Sequence, residues 1–106
     1  MPKYLMEASY TTEGTKGLLK DGGSKRRAEM QRLTESLGER LEAFYYALGG
    51  GDAIAIVDIP DQVTAAAVAL GVKATGAVSP RTTVLLTPEE IDQASQKTVS
   101  YRPPGQ

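Results

Sequence analysis

The side chains that could carry chemistry in this chain belong to few types. The sequence contains no cysteine and no histidine. This excludes thiol nucleophiles, serine–histidine mechanisms, and thiolate or imidazole ligands for a metal. Carboxylates, tyrosine, lysine and arginine remain, or a ligand that brings its own reactivity. We therefore predict no metal site and no cofactor, and we assign no catalytic residue.

Two candidate binding residues stand next to glycines. Asp52 follows Gly49-Gly50-Gly51, where its carboxylate could contact a ligand or bond to nearby backbone N–H groups of a turn. Lys16 lies in Glu13-Gly14-Thr15-Lys16-Gly17, where it could meet an anion at a helix start or be an exposed helix lysine.

Acidic and aromatic side chains provide further candidates. Glu7, Glu42 and Asp58 could share one sheet face as an acid/base cluster with one raised pKa. The alternative is that they are solvated charges or form salt bridges between subunits. Tyr10 and Tyr46, together with Tyr45, could surround a pocket mouth or pack in a core or interface. The candidate ligand-binding residues are Tyr10, Lys16, Glu42, Tyr46 and Asp52.

Charge and hydropathy limit the partners. Twelve basic and thirteen acidic residues leave a net charge of -1, which does not favour nucleic acid. The one basic cluster, Lys25-Arg26-Arg27 with Arg32, could contact phosphates. The glutamates interspersed with it favour a solvated mixed surface. No segment is apolar enough for a membrane span or a signal peptide, so we expect a cytoplasmic protein without nucleic-acid or membrane partners.

The sequence pattern predicts one domain over residues 1–106. Strands are predicted at 3–10, 40–48, 53–59 and 81–86, from alternation and β-branched or aromatic content. Helices are predicted at 13–20, with Thr11 or Thr12 as the N-cap, and from a Ser24 cap through Leu37. Asp61 can cap a further helix, whose apolar stripe consists of Val63, Ala66, Ala67, Leu70 and Ala74. A last helix begins at Thr87-Pro88 and reaches about Thr98, followed by an extended tail at 99–106. This order is ferredoxin-like, β-α-β-β-α-β, with an extra C-terminal helix, an α+β fold.

The two faces of the predicted sheet differ in composition. Strand parity places small and apolar residues under the helices: Met6, Ala8, Leu41, Ala43, Ala55 and Val57. The opposite face receives large apolar and charged residues: Leu5, Glu7, Ser9, Glu42, Phe44, Tyr46, Ile54, Ile56 and Asp58. Leaving that second face bare would expose an apolar patch, so we expect it to pack on a second copy of the chain. The alternative is a simple amphipathic face toward solvent. The assignment assumes that no β-bulge shifts the parity.

Several motifs together resemble one family. They are the Tyr4 to Tyr10 strand, Thr12-Glu13-Gly14-Thr15-Lys16-Gly17-Leu18-Leu19, Gly22-Gly23 with Arg26-Arg27, Gly38 with Leu41-Glu42-Ala43-Phe44-Tyr45, Thr83, Leu85-Leu86-Thr87-Pro88-Glu89-Glu90, and Ser100-Tyr101-Arg102. The chain resembles the GYD domain proteins, small bacterial proteins related to the dimeric α/β-barrel group. Gly50-Gly51-Asp52 matches the family's Gly-Tyr-Asp motif except that Gly51 replaces the tyrosine. The resemblance implies a dimeric barrel fold and no particular activity.

Three functions remain open from the sequence. The first is a small-molecule binding or regulatory domain that acts as a homo-oligomer and holds an apolar or aromatic ligand in a cavity between stacked sheets. The second is a structural role, in which the last helix and the tail assemble larger rings. The third is a cofactor-independent monooxygenase or isomerase of the dimeric barrel type, with Asp52, Glu42 and a tyrosine as its catalytic groups.

Overall fold

The first strand of the chain lies inside the sheet, between the third and the fourth. The computed structural model describes residues 2–106. Its elements are β1 (Lys3–Tyr10), α1 (Thr12–Asp21), α2 (Gly23–Ser36), β2 (Arg40–Tyr46), β3 (Ala53–Asp58), α3 (Gln62–Ala74), β4 (Val78–Leu85) and α4 (Pro88–Ser95). The sheet order is β2-β3-β1-β4, and all neighbouring strands are antiparallel. The fold is therefore α+β, with four strands and four helices in the described chain.

Helix boundaries follow local capping chemistry. Thr11 and Asp61 accept bonds from the backbone N–H groups of Gly14 and Thr64, and so begin α1 and α3. Thr87 and Glu90 form a reciprocal capping box at the start of α4. The predicted Ser24 cap is wrong, because α2 already begins at Gly23, after Gly22 in a left-handed conformation with φ of 84°.

Three element boundaries differ from the predicted positions by two or more residues. β2 ends at Tyr46, two residues early, and α4 ends at Ser95 rather than near Thr98. β4 begins at Val78, three residues before the predicted start, because it pairs with β1 as far as Tyr10. Pro80 lies within this extension, which an edge strand tolerates because its outer side needs no N–H donor.

The core lies between the sheet and the helices. Its buried centre consists of Tyr4, Ala55, Val57, Ile59 and Ala65. Ala65 and Val68 are the buried residues of α3. The predicted apolar stripe of this helix instead faces outward: Val63 is 80% exposed and Leu70 is 68% exposed. The helix is apolar nearly all round, so Ala65, Val68 and Val72 form a second stripe at the same spacing.

A β-bulge in β2 changes the predicted faces of the sheet. Leu41 lies opposite Val57 and Ala43 lies opposite Ile56, so Glu42 is an extra residue. Beyond it, Phe44 and Tyr46 lie on the helix side, whereas Ala43 lies on the open side. The predicted faces of these three residues are wrong for this reason. The faces of β1 and β3 agree with the prediction.

Candidate functional site

An apolar cavity with a volume of about 360 Å³ lies between the helices and the sheet. Met6, Ala8 and Ala55 contribute to its floor. Met30 and Leu33 of α2 form one wall, and Val72, near the end of α3, lies on the other. This volume and the mostly apolar lining are typical of a small-molecule site. The cavity lies on the opposite side of the sheet from the one predicted from the sequence.

Polar side chains in the lining include Tyr10, Arg26 and Glu29. Burial raises the pKa of Tyr10, and the positive charge of Arg26 opposes that rise. Glu29 accepts hydrogen bonds from the guanidinium of Arg32, which lowers the pKa of the glutamate. At neutral pH the Tyr10 hydroxyl therefore stays protonated and can donate a hydrogen bond.

Two of the predicted site residues meet at the end of β1. The backbone N–H of Tyr10 donates to Asp52 Oδ2 over 2.6 Å, and the backbone N–H of Asp52 donates to Ala8 O over 2.9 Å. Asp52 thereby links the β2–β3 hairpin to β1. Its carboxylate therefore bonds to a backbone N–H group of β1 and not to one within its own turn.

Tyr46 lies close to the start of α2. Its hydroxyl donates to Gly23 O over 3.1 Å, and its ring meets Phe44 edge-on at a centroid distance of 5.3 Å. Burial raises the pKa of Tyr46, and the electrostatic effect of Tyr10 raises this pKa further. Tyr46 lines a shallow depression beside the apolar cavity, with Gly23, Ser24, Arg27, Phe44 and Tyr45.

Lys16 and Glu42 lie away from the cavity. Lys16 is on the exposed surface of α1, with its Nζ 3.7 Å from Glu13 Oε1. Glu42 Oε1 is 3.2 Å from Lys3 Nζ on the open side of the sheet. The structure therefore groups Tyr10 with Asp52 and Tyr46, but not with these two residues.

The acidic residues of the open side are matched with cations. Lys3 Nζ lies 2.8 Å from Asp58 Oδ1, and this bond lowers the pKa of Asp58. Glu7 Oε1 lies 3.8 Å from Arg81 Nε. These carboxylates form ion pairs within one chain, whereas the predicted salt bridges were between subunits. The pKa of Asp58 is lowered and not raised.

Arg26 was not singled out as a site residue from the sequence. It was grouped with Lys25, Arg27 and Arg32 as a solvated cluster. The spacing of Arg26, Met30 and Leu33 places all three on one side of α2. This spacing is the sequence pattern that could have indicated Arg26 as a cavity residue. The contributions of Val72 and Val78 depend on how α3 and β4 pack, and no local pattern indicates them.

Residues 2–106 lack the features of two other kinds of site. No group of three or more acidic side chains there is placed to hold a metal ion. Within the same range, no helix has both the length and the apolar character needed to cross a membrane.

The geometry defines a class of protein: a small α+β domain with a four-stranded antiparallel sheet and an apolar cavity beneath its helices. The sequence profile of the GYD domain matches residues 4–95, which is most of the chain. The chain therefore belongs to the GYD domain family. No curated protein and no solved structure gives a significant match.

Proposed function

We propose that this GYD domain protein is a small-molecule binding or regulatory domain that acts as a homo-oligomer. The observation that carries the proposal is the cavity of about 360 Å³, with apolar walls and polar groups restricted to a few positions. The ligand occupies the space between α2, α3 and the sheet of each subunit. This replaces the predicted cavity between two stacked sheets.

The binding proposal can be tested with a neutral apolar dye, N-phenyl-1-naphthylamine, whose emission increases in an apolar site. Val72→Trp fills the cavity, and Leu70→Trp adds the same bulk to the outer side of the same helix. We expect enhanced emission with the unmodified protein and with Leu70→Trp, and its loss with Val72→Trp. Excitation at a wavelength that tryptophan does not absorb keeps the comparison valid. No enhancement in the unmodified protein, or equal enhancement in both variants, contradicts the proposal.

The proposed oligomer forms through the open side of the sheet, in a ferredoxin-like fold of the dimeric α/β-barrel type. The antiparallel order β2-β3-β1-β4 supports that fold. Leu5, Ile54 and Ile56 lie at the centre of the open side, because cross-strand partners share a face. Ion pairs flank this centre: Lys3 with Asp58 and Arg81 with Glu7. A surface with both signs of charge around an apolar centre can complement itself across a two-fold axis.

The oligomer is tested by light scattering after size exclusion. Ile56→Lys places a charge at the centre of the open side, and we expect it to turn a dimer, or a multiple of dimers, into monomers. Leu19→Lys is the control, since Leu19 is exposed on α1. A monomeric unmodified protein, or an Ile56→Lys variant of unchanged mass, contradicts this interface.

Assembly is the second candidate function, and the C-terminal arm supports it. This arm comprises residues 86–106. Its apolar side chains Leu86, Ile91, Val99 and Tyr101 are all more than half exposed. Removing residues 88–106 is expected to reduce the oligomer size if the arm joins subunits. An unchanged mass rules out this role for the segment.

A further inference from the structure

The guanidinium of Arg26 is a charged group of the cavity lining that has no ion-pair partner among residues 2–106. Arg26 is partly buried and lies among apolar side chains of the lining, including Met30 and Leu33. Within residues 2–106, no carboxylate lies within 4 Å of it, whereas the neighbouring Lys25 pairs with Asp21. A partly desolvated cation without an anion is unfavourable, and a ligand that supplies the anion removes that cost.

Glu29 does not supply the missing charge. Although it is one helical turn from Arg26, its carboxylate is held by Arg32, with Arg32 Nε 3.1 Å from each glutamate oxygen. The hydrogen bonds of Glu29 therefore go to Arg32, and the charge of Arg26 acts on this glutamate only at longer range. Among residues 2–106, Arg26 thus has no direct ion-pair partner at the cavity.

Tyr10 provides a second donor beside Arg26. The tyrosine also lines the cavity, and the positive charge of Arg26 opposes the rise that burial causes in the pKa of its phenol. The nearby carboxylate of Asp52 already accepts the backbone N–H of Tyr10. A guanidinium and a phenol hydroxyl that line the same apolar cavity suit a carboxylate, which accepts from both in short charge-assisted bonds.

We propose that the cavity selects an apolar monocarboxylate, with its hydrocarbon part between α2, α3 and the sheet and its carboxylate bound to Arg26 and the Tyr10 hydroxyl. This rests on the proposed function and adds the chemical class of the ligand. No bond is made or broken. The arrangement places a single charge at one end of a body small enough for about 360 Å³.

The test compares matched acids and neutral analogues by titration calorimetry. The pairs are 2-naphthoate with 2-naphthamide and decanoate with decanol, which separate aromatic from aliphatic bodies. We expect the unmodified protein to bind at least one acid about tenfold or more tightly than its neutral partner, as a charge-assisted hydrogen bond gives. Arg26→Gln should abolish this preference while neutral binding persists.

Three further variants make the result specific. Arg27→Gln removes a neighbouring but exposed charge and should keep the preference. Tyr10→Phe should weaken acid binding a few-fold, and Arg26→Lys should retain part of the preference by keeping the charge. Circular dichroism establishes that each variant is folded before titration.

The outcomes separate the two proposals. If acids and neutral analogues bind equally, or if Arg26→Gln keeps the preference, the ligand class is wrong while cavity binding stands. If neither the four compounds nor the neutral dye binds, the proposed function fails together with this inference.

Discussion

Gly51 occupies a backbone conformation that glycine adopts more easily than any other residue. Its φ is 90°, and a Cβ atom added there would have nothing within 4 Å. The strain of a side chain at this position therefore comes from the backbone alone. The backbone of this turn therefore favours glycine over any residue with a side chain at position 51.

We predict that Gly51→Ala lowers the free energy of unfolding by about 1 kcal/mol, because alanine disfavours a positive φ. Gly50→Ala is the matched control: Gly50 also has open space around it but no positive φ. Urea unfolding of both variants measures the difference. Equal effects at the two positions would show that the conformation of Gly51 is not constrained.

Glu39 is a buried carboxylate without a hydrogen-bond partner among residues 2–106. It is 6% exposed, and neither of its carboxylate oxygens has a donor. Burial raises its pKa. The folded state therefore holds the proton more tightly than the unfolded state, whose glutamate pKa is about 4.3. The resulting loss of stability develops as pH rises from that value through the folded pKa.

We predict that Glu39→Gln raises the free energy of unfolding by about 1 kcal/mol at pH 7, because it removes the buried charge. The gain should shrink as the pH falls through the folded pKa toward about 4, where the native glutamate is also protonated. Denaturant unfolding at several pH values measures the profile. A gain of the same size at every pH would mean that ionisation of Glu39 is not the cause.

Single residues were predictable from sequence where their chemistry is local. The caps Thr11, Asp61 and Thr87 depend on a few adjacent residues, and all three are present. The position of Arg26 over the cavity depends instead on the packing of α2 across the sheet. A charge-interspersed helix therefore gave no reason to separate it from the exposed Arg27.

Among the elements, α1 is positioned by one close contact. Thr11 N and Thr11 Oγ1 both donate to Ala77 O, which joins the start of α1 to the segment before β4. A Cβ atom on Gly14 would lie 2.1 Å from that same oxygen. Since both partners of the clash are backbone-anchored, neither can move cheaply.

We predict that Gly14→Ala lowers the free energy of unfolding by about 2 kcal/mol through this clash. Gly17→Ala, in the same helix with open space around it, should instead raise that free energy by about 0.5–1 kcal/mol, since alanine favours helix. Thermal and urea unfolding of both variants provide the measurement. Stabilisation by both substitutions would contradict the close contact.

The bulge shows why the faces of the sheet were only partly predictable. Alternation assigned β1 and β3 to the correct faces, because their pairing is regular. The sequence around the extra residue Glu42 does not indicate a bulge. The bulge nevertheless turns Phe44 and Tyr46 toward the helices. In α3 the difficulty was different, since two apolar stripes have equal spacing and only packing selects one.

The whole molecule is extended by its C-terminal arm. The radius of gyration is 17.0 Å, compared with about 13 Å for a compact domain of this length. α4 has no buried residue, and no further helix or strand follows Ser95. The arm therefore adds length and exposed apolar surface to the domain without contributing to its core.

We predict that a chain ending at residue 87 has a thermal midpoint within a few degrees of the full chain, because the removed residues bury no side chain in the core. Scanning calorimetry at a concentration where both forms have the same oligomeric state measures this. A fall of ten degrees or more would mean that the arm stabilises the fold of its own domain.

The central position of β1 has a consequence for synthesis. Strand β1 is the first strand of this sheet to be synthesised, and it pairs with β3 and β4, which are made later. In this sheet, only the β2–β3 hairpin joins neighbours in sequence. Until residue 85 is available, one edge of β1 stays unpaired, and such edges recruit other chains. Folding of this sheet is consequently a late event, completed only when its fourth strand arrives.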